Sequence, residues 1–166
     1  MTVRRWLIIA GAAAILLALV TWGVVVTIDR DKMAALLRQA AEARGIPGDW
    51  AVAIGIVESN LDPNATNLTG GDLARGGAWG ATQITLKTAQ AYGYTGTGPE
   101  LLADPARQAE LTATILAAGN PQTIADVAAW WNAGRKSLSS APAVTQNTYA
   151  PRLAAALDQA EGIGLS

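Results

Sequence analysis

Glu58 closes a run of apolar and glycine residues, Ala51 to Val57 ("AVAIGIV"), and Ser59 follows it directly. A helix built from that run has no polar side to give to water, so it is expected to be buried on every face. The carboxylate then stands at the C-terminal end of the helix, where the negative pole of the dipole and burial both disfavour the ionised form. A carboxyl group that keeps its proton near neutral pH is suited to donate it. One glutamate does not separate that role from a plain solvated helix end, so the rest of the chain has to decide. The 166 residues contain no histidine and no cysteine. Ser-His-Asp and Cys-His nucleophilic catalysis are thereby excluded, as are thiolate and imidazole metal sites. Proton transfer falls to Asp, Glu, Lys or Tyr, which favours chemistry run by carboxylates. No cofactor and no metal are expected.

The elements that would position Glu58 can be read from periodicity and punctuation. Met33 to Arg44 is amphipathic and stops at Gly45, and "GIPGD" leads into the buried helix. Residues 62 to 80 read as loop. Their "TGGDLARGG" is rich in glycine but lacks the spacing and lysine of a phosphate loop. Further helices are expected at Leu86 to Tyr92, Pro105 to Ala118, Ile124 to Asn132 and Tyr149 to Glu161. Asp104 stands as N-cap before Pro105. No stretch alternates with a period of two, so the folded part is expected to be all-α. Asp62, Asp72 and Asp104 fall where turns and caps form. Trp130 is expected in the core, whereas Trp79 and Trp131 are open between core packing and a binding role.

Ahead of this domain, Trp6 to Ile28 runs without a charge, long enough for a bilayer core that takes about 20 helical residues. Arg4 and Arg5 precede it and "DRDK" follows, which orients the N-terminus to the cytoplasm and the rest outside. The run is longer than a signal-peptide core and no small-residue cleavage site closes it, so it reads as an uncleaved signal anchor. The expected organisation is a cytoplasmic stub at 1–5, a transmembrane helix at 6–28, a juxtamembrane segment at 29–36, a globular domain at 37–161 and a tail at 162–166. With Arg4 and Arg5 set aside, thirteen acidic residues face ten basic ones. Nucleic-acid binding is not expected.

Three segments then belong together: "ESNLDPNA" from Glu58, "GAWGATQITLKTA" from Gly77 and "AAWWNAG" from Ala128. In order and spacing they resemble the lytic transglycosylase family of the soluble transglycosylase (SLT) type, which has a lysozyme-like fold. There a Glu-Ser pair ends a buried helix, a Gly-x-x-Gln-Ile/Val turn follows, and an Ala-Tyr-Asn-Ala-Gly segment lies near the end. "LLADP" at 101–105 and "NTYAPRLAAAL" at 147–157 extend the likeness, which covers residues 37 to 160.

The resemblance implies a catalytic acid at Glu58, with Ser59 beside it. It places Gly80, Gln83 and Ile84 in the sugar groove, with Trp131, Asn132 and Tyr149 contributing from the later segments and Gly134 completing the Asn-x-Gly pattern. It implies cleavage of the β-1,4 bond between N-acetylmuramic acid and N-acetylglucosamine in peptidoglycan, leaving a 1,6-anhydromuramic end. The expected partners are peptidoglycan glycan strands and, through residues 6–28, the inner membrane. Wall turnover, envelope-spanning machinery and phage entry or lysis all use such domains.

Read as residues alone, Gly80 is open between a tight turn and the groove, and Gln83 between backbone bonding and sugar contact. Asn132 fits a brace for its loop. The sequence departs from the family in three places. The loop Asn67 to Ala78 is long, as in phage-associated forms; Ala81-Thr82 replaces a bulkier apolar pair; and Trp131 stands where the family has a tyrosine that bonds the glutamate. A hydrolytic muramidase, with Asp72 activating water, and a non-catalytic peptidoglycan-binding anchor are the alternatives on the same fold.

Overall fold

The computed structural model describes residues 28–163. Helix α1 (Arg30–Glu42) begins earlier than the apolar periodicity predicts, because the Asp29 carboxylate accepts a 2.9 Å hydrogen bond from the Lys32 backbone N–H and caps it. Its inner face buries Met33, Ala34, Leu37 and Ala41. Helix α2 (Gly48–Ser59) is buried from Ala51 to Gly55 and is partly exposed at Asp49, at Trp50 and over its last turn. Asn60 and Leu61, at φ 58° and 66°, turn the chain sharply out of it.

The segment expected to be loop contains structure too short to leave a periodic signal. Strands β1 (Thr66–Asn67), β2 (Ala78–Trp79) and β3 (Ile84–Thr85) form an antiparallel sheet in that order, pairing Thr66 with Trp79 and Trp79 with Ile84. Two residues per strand cannot display alternation. A single turn of helix, α3 (Gly70–Leu73), lies between β1 and β2. The fold is thus mostly helical with a small sheet, where the sequence predicts helices alone.

Helix α4 (Leu86–Ala91) is capped by Thr85. Helix α5 (Gly98–Leu102), absent from the sequence expectations, is set by a capping box between Thr97 and Glu100. Helix α6 (Pro105–Gly119) starts at the expected Asp104 cap, and α7 (Ile124–Ala133) ends at Gly134. A π-helical turn (Thr145–Tyr149) then runs straight into α8 (Ala150–Gly162), where the sequence predicts one continuous α-helix from Tyr149. Pro151 has no N–H to close an ordinary turn onto this stretch, which favours the wider one.

The main core joins α1, α2, α6, α7 and α8 and includes Ile54, Leu37, Val127 and Leu153. A second cluster gathers Ile84, Ala89, Leu101, Leu111 and Ile115 under the sheet. Trp131 packs against both. Trp130 is half-buried in the second cluster, and its indole N–H donates to the Ile115 carbonyl at 2.7 Å. Among the described residues no helix is long and apolar enough to cross a membrane. The expected transmembrane segment lies outside them except for Ile28, which packs on the main core.

Gln108 locks the sheet to the helices. Its buried side chain accepts from the Ala81 N–H at 2.9 Å and donates to the carbonyls of Pro63 at 2.9 Å and Leu101 at 3.0 Å. Gly80 lies directly on this amide at φ 78°; a Cβ there would stand 2.2 Å from Gln108 Oε1. At Gly93, φ 84°, the same Cβ would meet nothing within 4 Å. Gly93→Ala is therefore expected to lose only backbone strain, about 1–2 kcal/mol. Gly80→Ala adds displacement of the Gln108 network and is expected to lose at least about twice as much. Urea unfolding of the two proteins checks this, and equal losses would show that the amide gives way freely.

Candidate active site

Glu58 is carried to the last turn of α2 by the apolar residues before it, so its carboxyl group emerges from the main core into an open groove. Burial pushes its pKa above the usual carboxylate range. Three groups oppose that shift without cancelling it. The Tyr149 hydroxyl donates a 2.7 Å hydrogen bond to Glu58 Oε1, the Arg152 cation lies within electrostatic reach, and the Trp131 indole exerts a weaker pull. The negative charge of Asp72 adds to the upward shift. Tyr149 is itself held far above the ordinary phenol value by burial and by the neighbouring Glu58, so it keeps its proton and can donate a hydrogen bond to the carboxylate.

The position of Tyr149 follows from local structure. The π turn ends on it, and the start of α8 faces the end of α2, where Arg152 donates to the Val57 carbonyl at 3.1 Å. The two helices thus meet at the residue that needs a hydrogen-bond donor. The resemblance put Trp131 in the place of the tyrosine that bonds the glutamate, which left Glu58 without a hydroxyl partner there. In the structure Tyr149, from the closing helix, supplies that hydroxyl.

The groove has a volume of about 360 Å³. Gln83, Ile84, Trp131 and Asn132 line it with Glu58, as the motif segments suggest. Gln83 sits at φ 52°, and its amide donates to the carbonyls of Gly80 at 2.9 Å and Ala65 at 3.1 Å, so its backbone role is met while it still faces the groove. Asn132 Oδ1 accepts from the Thr145 hydroxyl at 2.7 Å, which orients its amide from the π turn.

Ser59, Gly80 and Tyr149 stand behind the wall. Ser59 Oγ donates to the Ala81 carbonyl at 2.7 Å and accepts from the Asp62 N–H at 3.0 Å, tying the end of α2 to the turn that carries Gln83. Gly80 provides the close approach to Gln108. Asp62 and Asp104 make turn and cap bonds, as their positions predict.

Sequence reasoning did not place several groove residues. Asn67, Arg75, Thr85 and Thr88 line it; Asp72, which the muramidase alternative named, lines it as well, and its Oδ2 accepts from Asn67 Nδ2 at 2.8 Å. The available signal was polar residues held inside a glycine-rich loop, but their place in the groove depends on β1 pairing with β2. Among the described residues no group of three or more acidic side chains is placed to hold a metal ion.

An apolar wall beside amides and hydroxyls, with one carboxyl group that favours its protonated form, is suited to a polyhydroxylated substrate and proton donation. The chain matches the family model described as Transglycosylase SLT domain over residues 35–154. Neither the curated proteins nor the solved structures contain a match. The matched span covers most of the chain and includes every residue that lines the groove, so the chain belongs to the SLT transglycosylase domain family and is an enzyme, a peptidoglycan lytic transglycosylase.

Proposed function

We propose that Glu58 is the single acid and base of a membrane-tethered lytic transglycosylase that leaves 1,6-anhydromuramic ends. The observation that carries this reading is a carboxyl group whose pKa is raised by burial, facing an open groove and hydrogen-bonded by a phenol that keeps its proton. Glu58 gives its proton to the glycosidic oxygen as the bond from muramic acid C1 to that oxygen breaks. The N-acetyl group of the same sugar stabilises the positive charge at C1. The C6 hydroxyl then adds to C1 and returns its proton to the Glu58 carboxylate. No water is consumed and the carboxyl group ends as it began. The Tyr149 hydroxyl stabilises the carboxylate between the two transfers.

Asp72 supports a second reading. It lines the same groove and is oriented by Asn67. An inverting hydrolase uses a second carboxylate, at roughly 6.5–9.5 Å from the acid, to activate water. Mass analysis of the muropeptides released from purified sacculi separates the two: anhydro ends for the transglycosylase, reducing ends for the hydrolase.

The tether rests on the uncharged run Trp6 to Ile28 and the arginines before it. In a cell, the full-length chain is expected in the inner-membrane fraction with its domain outside. A mature protein free in the periplasm and trimmed after the run would identify a signal peptide instead.

Glu58→Gln is expected to lower turnover by about 10²-fold to 10⁴-fold, the range for a lost general acid. The same change should raise stability at neutral pH. A carboxyl group whose folded pKa is raised contributes stability that is fully present below its ordinary pKa and lost as pH rises through the folded value. Thermal unfolding should therefore show Glu58→Gln above wild type near pH 7 and no longer above it near pH 4. Wild-type release rates in this variant would remove Glu58 from the mechanism.

Tyr149→Phe deletes the donor to the ionised form, so the Glu58 pKa should rise further. The alkaline limb of the pH-rate profile is then expected to move to higher pH while kcat falls by about tenfold, the value of a hydrogen bond to a charge. An unshifted limb would mean that the phenol only packs.

A further inference from the structure

We propose that Arg75 receives a carboxylate of the stem peptide attached to muramic acid, so that the groove favours peptide-bearing strands over bare glycan. This rests on the peptidoglycan-cleaving reading and deepens it by naming the part of the substrate that a cation would recognise. Arg75 lines the same groove as Glu58 and is exposed. Among the described residues the ion pairs are Lys32–Asp29, Arg38–Asp49 and Arg107–Glu110, so no carboxylate lies within ion-pair distance of its guanidinium. Asp72, three residues earlier, turns a carboxylate oxygen to Asn67 Nδ2 at 2.8 Å.

The backbone beneath Arg75 is fixed. Its N–H donates to the Asp72 carbonyl and its carbonyl accepts from the Lys87 N–H, both at 3.0 Å, while the Gly77 N–H also donates to the Asp72 carbonyl, at 2.7 Å. A held base with an unpaired head is the arrangement of a ligand-reading arginine, whose planar fork matches a carboxylate.

The remaining walls fit a neutral sugar chain, through Asn67, Gln83, Thr85 and Asn132 on the polar side and Ile84 and Trp131 on the apolar side. That chain has no charge of its own: its amino groups are acetylated and the lactyl carboxyl of muramic acid is taken into an amide by the peptide. The first anionic groups beyond the lactyl linkage are the carboxylates of the stem. The phosphodiester of a wall polymer is the other anion that muramic acid can carry, at its C6 oxygen. Substitution there would block the hydroxyl that closes the anhydro ring.

Binding tests the assignment without relying on turnover. The full-length chain with Glu58→Gln, in detergent, is titrated with soluble glycan strands bearing stems, strands stripped by an amidase whose freed lactyl carboxyl groups have then been amidated, and strands whose stem carboxylates have been chemically amidated. Stem-bearing strands are expected to bind about fivefold to tenfold more tightly than either control, between the value of an exposed ion pair and that of a charge-assisted hydrogen bond. Adding Arg75→Ala should collapse that ratio towards one, and Arg75→Lys should keep part of it. A ratio that survives Arg75→Ala overturns the proposal, as does a wild-type ratio of one or an absence of binding to all three. Stem-free strands carrying phosphodiester polymer that bind as tightly as stem-bearing ones, with the same dependence on Arg75, would assign the arginine to phosphate and overturn the stem assignment. Failure of the cleavage reading is seen separately, as an unsubstituted chain that binds the strands and releases no muropeptides.

Discussion

The rest of the structure depends on partly desolvating one carboxyl group while giving it a hydrogen-bond donor that never ionises. Burial of Glu58 disfavours its charge, and the Tyr149 phenol and the Arg152 cation recover part of the loss. These influences have to stay unbalanced, since a carboxyl group drawn fully towards its ionised form has no proton to donate at neutral pH. The arrangement needs a helix apolar on every face, a second helix that arrives at its end, and a widened turn that sets a phenol there. Helices α2 and α8 and the π turn at 145–149 supply these parts, and α2 and α8 share the main core. Ionising Glu58 near neutral pH therefore works against the stability of the same core that positions it.

The opposite wall of the groove is held by other means. The sheet is only two residues wide on each strand, too short to be stable alone. Gln108 compensates from α6 by binding Ala81, Pro63 and Leu101 at once, and Ser59 binds Ala81 from the end of α2. The residue next to Glu58 in sequence thus anchors the turn that carries Gln83 across the groove. The Glu-Ser pair is one unit in this sense, with one member facing the groove and the other fixing the distance to the far wall.

These roles were unequally legible in the sequence. The helices could be read because apolar periodicity, Asp104 before Pro105 and the glycines after helix ends are local signals. The place of Glu58 could be read because seven residues without a polar side leave a carboxylate one place to emerge. The strands could not, because two residues make no pattern, and helix α5 was lost between two glycines and a proline. The hydroxyl on Glu58 was hidden for a different reason. Tyr149 is 91 residues away in the chain, and its direction depends on a π turn that no local propensity announces. Arg75 and Asp72 were visible as charges in a glycine-rich loop, but only strand pairing turns that loop onto the groove.

Under the proposed mechanism, the choice between anhydro and reducing ends is a contest between two nucleophiles at muramic acid C1. An open groove of about 360 Å³ admits water, so exclusion of water does not decide the outcome. The C6 hydroxyl belongs to the same sugar, and a well-oriented internal nucleophile acts at an effective concentration of about 10⁵–10⁸ M. Bulk water, at tens of molar, loses that contest unless a base holds one molecule at the opposite face. Asp72 is the groove residue with the chemistry to do so, and its oxygen is already engaged by Asn67. While that bond stands, Asp72 acts on Glu58 chiefly as a negative charge that raises its pKa, which favours the protonated form that donates and leaves the C6 hydroxyl without a competitor.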